Sequence, residues 1–275
     1  MHKIHLIHLA QQVIANYLEL KQINKSQLAK VIGISPSIIG WIESGQADNV
    51  SEEMLQSIIN ILKPDDGWQK IGTSNYESIH AICKQNQSQA LMSAVIGYPG
   101  AGKTTALMDY YRTTKNAYYV ECINSMNRHD FLNAILANMG VTFVGSVHDI
   151  VKLIIKTLNK QDKPLLIIDE AGKVGTSVML DLHDIRNATM GNASFVLAGC
   201  DYFKTDIEKW VARDKKGYPE FHSRVVNWHK LERPTKAEIN AICRENGIAK
   251  PETIKEFQKL VNYRQLFNAI TNEKA

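Results

Sequence analysis

The sequence predicts an α/β fold in which a parallel sheet, covered by helices on both faces, follows an all-helical unit and precedes a short helical lid. Three observations carry that expectation. Apolar runs "AVI" at 94–96, "AYYVEC" at 117–122, "PLLIIDE" at 164–170, "ASFVLAGC" at 193–200 and "VVNWHKL" at 225–231 alternate with helical patterns, and such alternation builds parallel sheets. The loop "GYPGAGKT" joins the first run to a helix-forming stretch. Two short helical segments meet at a tight turn inside residues 24–46, well ahead of any strand. The boundaries that follow are a helical domain over 1–63, a linker over 64–75, a sheet-containing core over 76–233 and a helical lid over 234–275.

With 275 residues, 44% of them hydrophobic and 22% charged, the chain has room for two or three compact units. No apolar stretch reaches membrane-spanning length, and "MHKIHLIHLAQQ" lacks the long apolar segment of a signal peptide. A cytoplasmic protein without a membrane partner is expected. Cys83, Cys122, Cys200 and Cys243 have neither metal-ligand nor redox spacing and read as reduced structural thiols. His2, His5 and His8 recur at every third residue, but without cysteine or carboxylate support they do not make a metal site. The formal net charge is +4, and residues 205–275 account for it with 14 Lys and Arg against 10 Asp and Glu. That bias permits contact with nucleic acid.

In "NKSQLAKVIGISPSIIGWIESGQ" the first helix gathers Leu28, Ala29 and Ile32 on one face, and Gly33 breaks it. Ser35 caps the second helix and Pro36 takes its first position, where a missing N–H costs nothing. The stretches "LAQQVIANYLELK" and "SEEMLQSIINIL" flank the pair as further helices. The arrangement resembles the helix-turn-helix domain of phage repressors and Cro-like regulators. That resemblance implies a helix from Pro36 to Glu43 in a DNA major groove, with Ser37 and Trp41 as candidate DNA contacts. Specific readers present Arg, Gln or Asn to base edges, whereas this helix offers Ser37, Ile38, Gly40 and Trp41. Sequence-tolerant contact and protein docking therefore stand beside operator reading. Pro64, the Asp65–Asp66 pair and two glycines then mark the linker.

Residues Gly97 to Thr104 follow the pattern G-x-x-x-x-G-K-[ST] between a strand and a helix. Such a loop turns backbone N–H groups inward as an anion cradle, aims a helix N-terminus at the same point and adds a mobile cation. Gly97, Pro99, Gly100, Ala101, Gly102, Lys103, Thr104 and Thr105 are the candidate contacts to ATP, with Thr104 also a Mg²⁺ ligand. In "LLIIDEA" four apolar residues deliver Asp169 and Glu170 to the C-terminal edge of a strand, where the loop also opens. Asp169 is placed to orient Mg²⁺ through its waters, and Glu170 to polarise an attacking water. Hydrolysis, rather than transfer to a bound acceptor, is the expected reaction.

Arg224, in "FHSRVVNWHKL", immediately precedes the last strand, and Arg264, in "NYRQLFNAI", begins the last helix. With the phosphate loop and acidic pair, they make residues 75–275 resemble AAA+ ATPases. The resemblance implies that Arg224 reaches the γ-phosphate of a neighbouring subunit and that Arg264 senses it in cis, both stabilising transferring charge. The Cro-like segment, "IIDEA" and the short lid together are similar to the transposon target-selector ATPases typified by the B transposition protein of phage Mu. That likeness implies ATP-dependent binding to double-stranded DNA, homo-oligomeric assembly as a filament or ring, and recruitment of a transposase. It also turns two loops at the C-terminal edge of the sheet, "NSMNRHD" and "AGKVGTS", toward DNA, with Arg128 and Lys173 as their cations. The family's usual Asn after the fourth strand's glycine is replaced here by Cys200. Cysteine bonds water and phosphate poorly, which leaves Cys200 or Asp201 as the first sensor and slow turnover as the expectation. Two other readings compete: a helicase loader or replication initiator, and a helix-turn-helix transcription regulator switched by ATP.

Overall fold

A computed structural model of the chain describes residues 2–62 and 71–274. Four helices come first: α1 (His2–Lys21), α2 (Lys25–Ile32), α3 (Pro36–Glu43) and α4 (Glu52–Leu62). Asn24 and Gln27 close a capping box at the start of α2, and Gly33, at φ +72°, returns its N–H to Ala29 O at the other end. Only a left-handed residue turns the chain this tightly into α3, whose N-cap is Ser35 and whose first residue is Pro36. Leu28, Ile39, Ile42, Leu55 and Ile58 then meet Ala10 and Ile14 of α1 in one apolar core. Gln11 Nε2 donates to Ile42 O at 2.8 Å, fastening α1 to the end of α3.

Residues 63–70, which carry most of the expected linker, lie outside the described residues. Beyond them Thr73 caps α5 (Ser74–Gln89) by accepting from the Tyr76 N–H. The helical start of the core thus falls inside the stretch read as linker.

The five strands β1 (Met92–Ile96), β2 (Ala117–Glu121), β3 (Leu165–Asp169), β4 (Ser194–Gly199) and β5 (Asn227–Lys230) run parallel in the order β2-β3-β4-β1-β5. Along the inner strands successive residues face opposite sides and both sides are covered, so these runs carry no polar alternation. Ala94, Ile168, Phe195 and Leu197 pack with α7 (Arg128–Asn138), α8 (Val147–Asn159), α9 (Thr176–Ala188), α10 (Asp201–Ala212) and α11 (Tyr218–Arg224). Val95, Ile167, Val196 and Ala198 pack with α5 and α6 (Lys103–Thr113). Ile96 lies opposite Gly199 and Ile168 opposite Leu197, so β1, β3 and β4 finish level at one edge.

The lid comprises α12 (Lys236–Glu245), α13 (Pro251–Phe257) and α14 (Tyr263–Lys274), built around Ile239, Ile242, Ile254, Leu266 and Ile270. Glu238 accepts both the Ser74 N–H and its hydroxyl at 2.8 Å, which ties α12 to α5. At the other end of the molecule the helical unit rests on the core. Tyr17 Oη meets Tyr111 Oη at 2.6 Å. Lys21, only 8% exposed, donates to the carbonyl of Tyr111 and to those of Thr114 at 2.8 Å and Ala117 at 3.2 Å. The Tyr111 and Thr114 carbonyls belong to the C-terminal end of α6, and Ala117 opens β2. Among the described residues no helix is long and apolar enough to cross a membrane.

Candidate functional site

The loop after β1 enters a cavity of about 530 Å³ whose wall also includes Glu170, Cys200 and the lid residues Ile242, Tyr263 and Arg264. Gly100 and Gly102 sit at φ +83° and +85°, the left-handed region that glycine adopts without strain. At Gly100 a Cβ would stand 2.9 Å from Asn262 Oδ1 and 3.0 Å from Arg264 Cβ, so a side chain there would collide with the lid. Gly102 precedes α6 without any side-chain cap, which leaves the first N–H groups of that helix free for an anion. Lys103 is 5% exposed, and its ammonium donates to Gly97 O at 2.6 Å and Tyr98 O at 3.2 Å. Pro99, Ala101, Thr104 and Thr105 complete the loop side of the wall.

Opposite stands the acidic pair. Asp169 is fully buried, and its Oδ2 accepts from Thr104 Oγ1 at 2.6 Å and from Tyr119 Oη at 2.9 Å, while Oδ1 takes the Glu170 N–H at 2.8 Å. Burial first, and then the Asp169 carboxylate, push the Tyr119 hydroxyl well above its ordinary value, so it stays protonated and donates. Glu170 adopts φ 54° and ψ 36°, a left-handed conformation uncommon outside glycine. Its Oε2 lies 3.5 Å from Lys173 Nζ. A hydroxyl and a carboxylate held in contact beneath a cradle of open N–H groups are hard oxygen donors of the kind Mg²⁺ takes beside phosphates. The residues present therefore fit both a nucleoside triphosphate and its metal.

The structure gathers the phosphate loop, Asp169, Glu170 and Arg264 in one place, and puts the remaining expected residues elsewhere. Arg224 closes α11 at the N-terminal edge of the sheet, away from the cavity, with its Nε on Asn187 Oδ1 at 2.8 Å. Cys200 lines the cavity, whereas Asp201 is exposed in the first turn of α10. Arg128 forks Asp181 at 2.6 and 2.5 Å, and Lys173 faces Glu170, so both loop cations already have carboxylates. Ser37 and Trp41 are exposed one helical turn apart on α3, Trp41 by 40%. Among the described residues no group of three or more His, Cys, Asp and Glu is placed to hold a metal. Sequence reasoning missed Tyr119, whose strand position two residues before the end of β2 sets it beside Asp169. It also missed Ile71, Thr73 and Tyr263, which close the cavity from the lid side.

Residues 85–205 match the family model of an AAA domain. No curated protein matches the chain in sequence. Among solved structures, the ORC1 protein of Aeropyrum pernix in complex with DNA superposes with a TM-score of 0.56 at 14% identity, covering 76% of this chain and 61% of that one. A DNA replication initiation factor superposes with a TM-score of 0.50 at 14% identity, covering 74% of this chain and 62% of that one. The chain thus aligns with less than two thirds of the length of either. At that identity the likeness establishes the fold alone, a five-stranded parallel α/β sheet followed by a helical lid.

Proposed function

We propose that the chain is a cytoplasmic, Mg²⁺-dependent ATPase that binds double-stranded DNA in its ATP state and positions a second protein there. The observation that carries the ATPase reading is the 2.6 Å contact between Thr104 and Asp169, with Glu170 and Thr104 lining one cavity. In this reading Lys103 leaves the Gly97 and Tyr98 carbonyls for the outer phosphates. Glu170 takes the proton of the attacking water, and Arg264 reaches in from the lid to the phosphoryl oxygens. Thr104 and Asp169 would hold Mg²⁺, which would supply neutralisation of phosphate charge.

Lys103→Ala should abolish ATP affinity, since the backbone dipoles alone would face the phosphate charge. Glu170→Gln should bind ATP normally and turn it over about a hundredfold more slowly or worse. Turnover and nucleotide affinity measured on both variants test the assignment, and wild-type turnover by the Glu170 variant refutes it.

For the second protein, the fold likeness to ORC1 in complex with DNA and to a replication initiation factor supports an initiator or helicase-loader role. A second reading, selection of target DNA for a transposase, is supported by the capped α2–α3 pair and its resemblance to Cro-like helix-turn-helix domains. Electron microscopy with ATP and plain duplex separates the two. Discrete assemblies fit a loader, and a continuous coat on arbitrary sequence fits a target selector; a footprint on one defined operator would replace both with a transcription regulator.

A further inference from the structure

We infer that the corner between α10 and α11 is the surface on which this protein holds the backbone of duplex DNA. The inference rests on the DNA-binding reading above and gives it a location. In "KWVARDKKG", residues 209–217, four cations accompany one acid. Three of the cations gather around one indole. Lys215 Nζ lies 3.9 Å, Arg213 Cζ 5.5 Å and Lys209 Nζ 5.8 Å from the Trp210 ring centroid, and Lys216 extends exposed beside them. Among the described residues none of the four has a carboxylate within 4.0 Å, whereas neighbouring Lys204 pairs with Glu208 at 3.3 Å.

Cations held together by a ring face, with no counter-charge, repel one another, and an anionic partner relieves that repulsion. Lys215 also donates to Thr176 Oγ1 at 3.2 Å, the first residue of α9. That helix starts at Gly175 without a side-chain cap, so its positive end opens onto the same corner. The two cations expected at the sheet edge, by contrast, are tied to Asp181 and Glu170. Residues 209–217 hold no Asn or Gln to read adenine edges, and a cluster of three Lys and one Arg matches the charge of the sugar–phosphate backbone, the sequence-independent part of a duplex.

The test is duplex affinity against salt concentration on two unrelated duplexes, with ATP and Mg²⁺ present. It compares wild type, the Lys209→Gln, Arg213→Gln, Lys215→Gln, Lys216→Gln variant, and a Lys215→Arg, Lys216→Arg variant. Each phosphate neutralised contributes about 0.9 to the slope of log affinity against log salt. The fourfold variant should lose about two to three units of slope on both duplexes and bind at least tenfold more weakly at moderate salt. Its ATP affinity, which also reports an intact fold, should not change, and the Arg variant should keep the wild-type slope. An unchanged slope in the fourfold variant, with wild type binding duplex, overturns this surface alone. Wild type that binds neither duplex, or binds polyglutamate instead, overturns the DNA reading with it.

Discussion

Tyr119 donates to the same Asp169 oxygen as Thr104, and so fixes the plane of the carboxylate that must meet Mg²⁺. A hydrogen bond to a charged group contributes about 1.5–3 kcal/mol, and its loss should let that carboxylate rotate. Tyr119→Phe should therefore slow ATP turnover roughly tenfold while nucleotide affinity measured in EDTA stays at the wild-type level; equal loss in both measurements would mean general damage to the core. The loop, Asp169 and Glu170 were legible in the sequence because their chemistry depends on neighbours a few residues away. Tyr119 was not, because its partner lies 50 positions further along and only the pairing of β2 with β3 brings the two together.

Among the elements, α1 shows the same limit. Gly33, Ser35 and Pro36 announced the α2–α3 turn, since caps and left-handed glycines are local signals. Nothing local announced that Lys21 would enter the C-terminal end of α6, 93 positions away by its Thr114 contact. Periodicity tells which face of a helix is apolar, not which surface it meets. Lys21→Met should leave the Thr114 and Ala117 carbonyls short of a donor and weaken docking by about 1–3 kcal/mol, seen as faster hydrogen exchange along α1 with the β-sheet unaffected. Burial lowers the Lys21 ammonium from 10.5 to about 7. The undocked chain then binds more protons between those values, so docking gains stability as pH rises across that window and loses it as pH falls through about 7. Hydrogen exchange of α1 at pH 6.5 and 9, corrected for intrinsic rates, should show greater protection at pH 9.

For the whole molecule, β1 and β5 are parallel neighbours, and the phosphate loop follows the first while Arg224 precedes the second, so the two lie at opposite ends of the strands and this arginine can serve a nucleotide only on another copy of the chain. Arg224→Ala should keep ATP affinity and lose any turnover that rises with protein concentration. Mixed with Lys103→Ala subunits, which retain the arginine, it should recover part of that turnover; no recovery at any ratio would assign Arg224 a role within its own subunit. The alternation of strands and helices made this architecture legible, whereas the β2-β3-β4-β1-β5 order depends on packing that no window of sequence contains. The lid carries a different consequence. The Tyr263 N–H bonds Gly100 O at 3.0 Å, so the backbone of the lid is fastened directly to the loop that would grip the phosphates. A nucleotide gripped by that loop would then feel any movement of the lid directly, since loop and lid share a backbone hydrogen bond. In the ATPase proposed above, the interval between unlatchings of the lid, rather than the speed of bond cleavage, would then set how long the ATP-bound state endures.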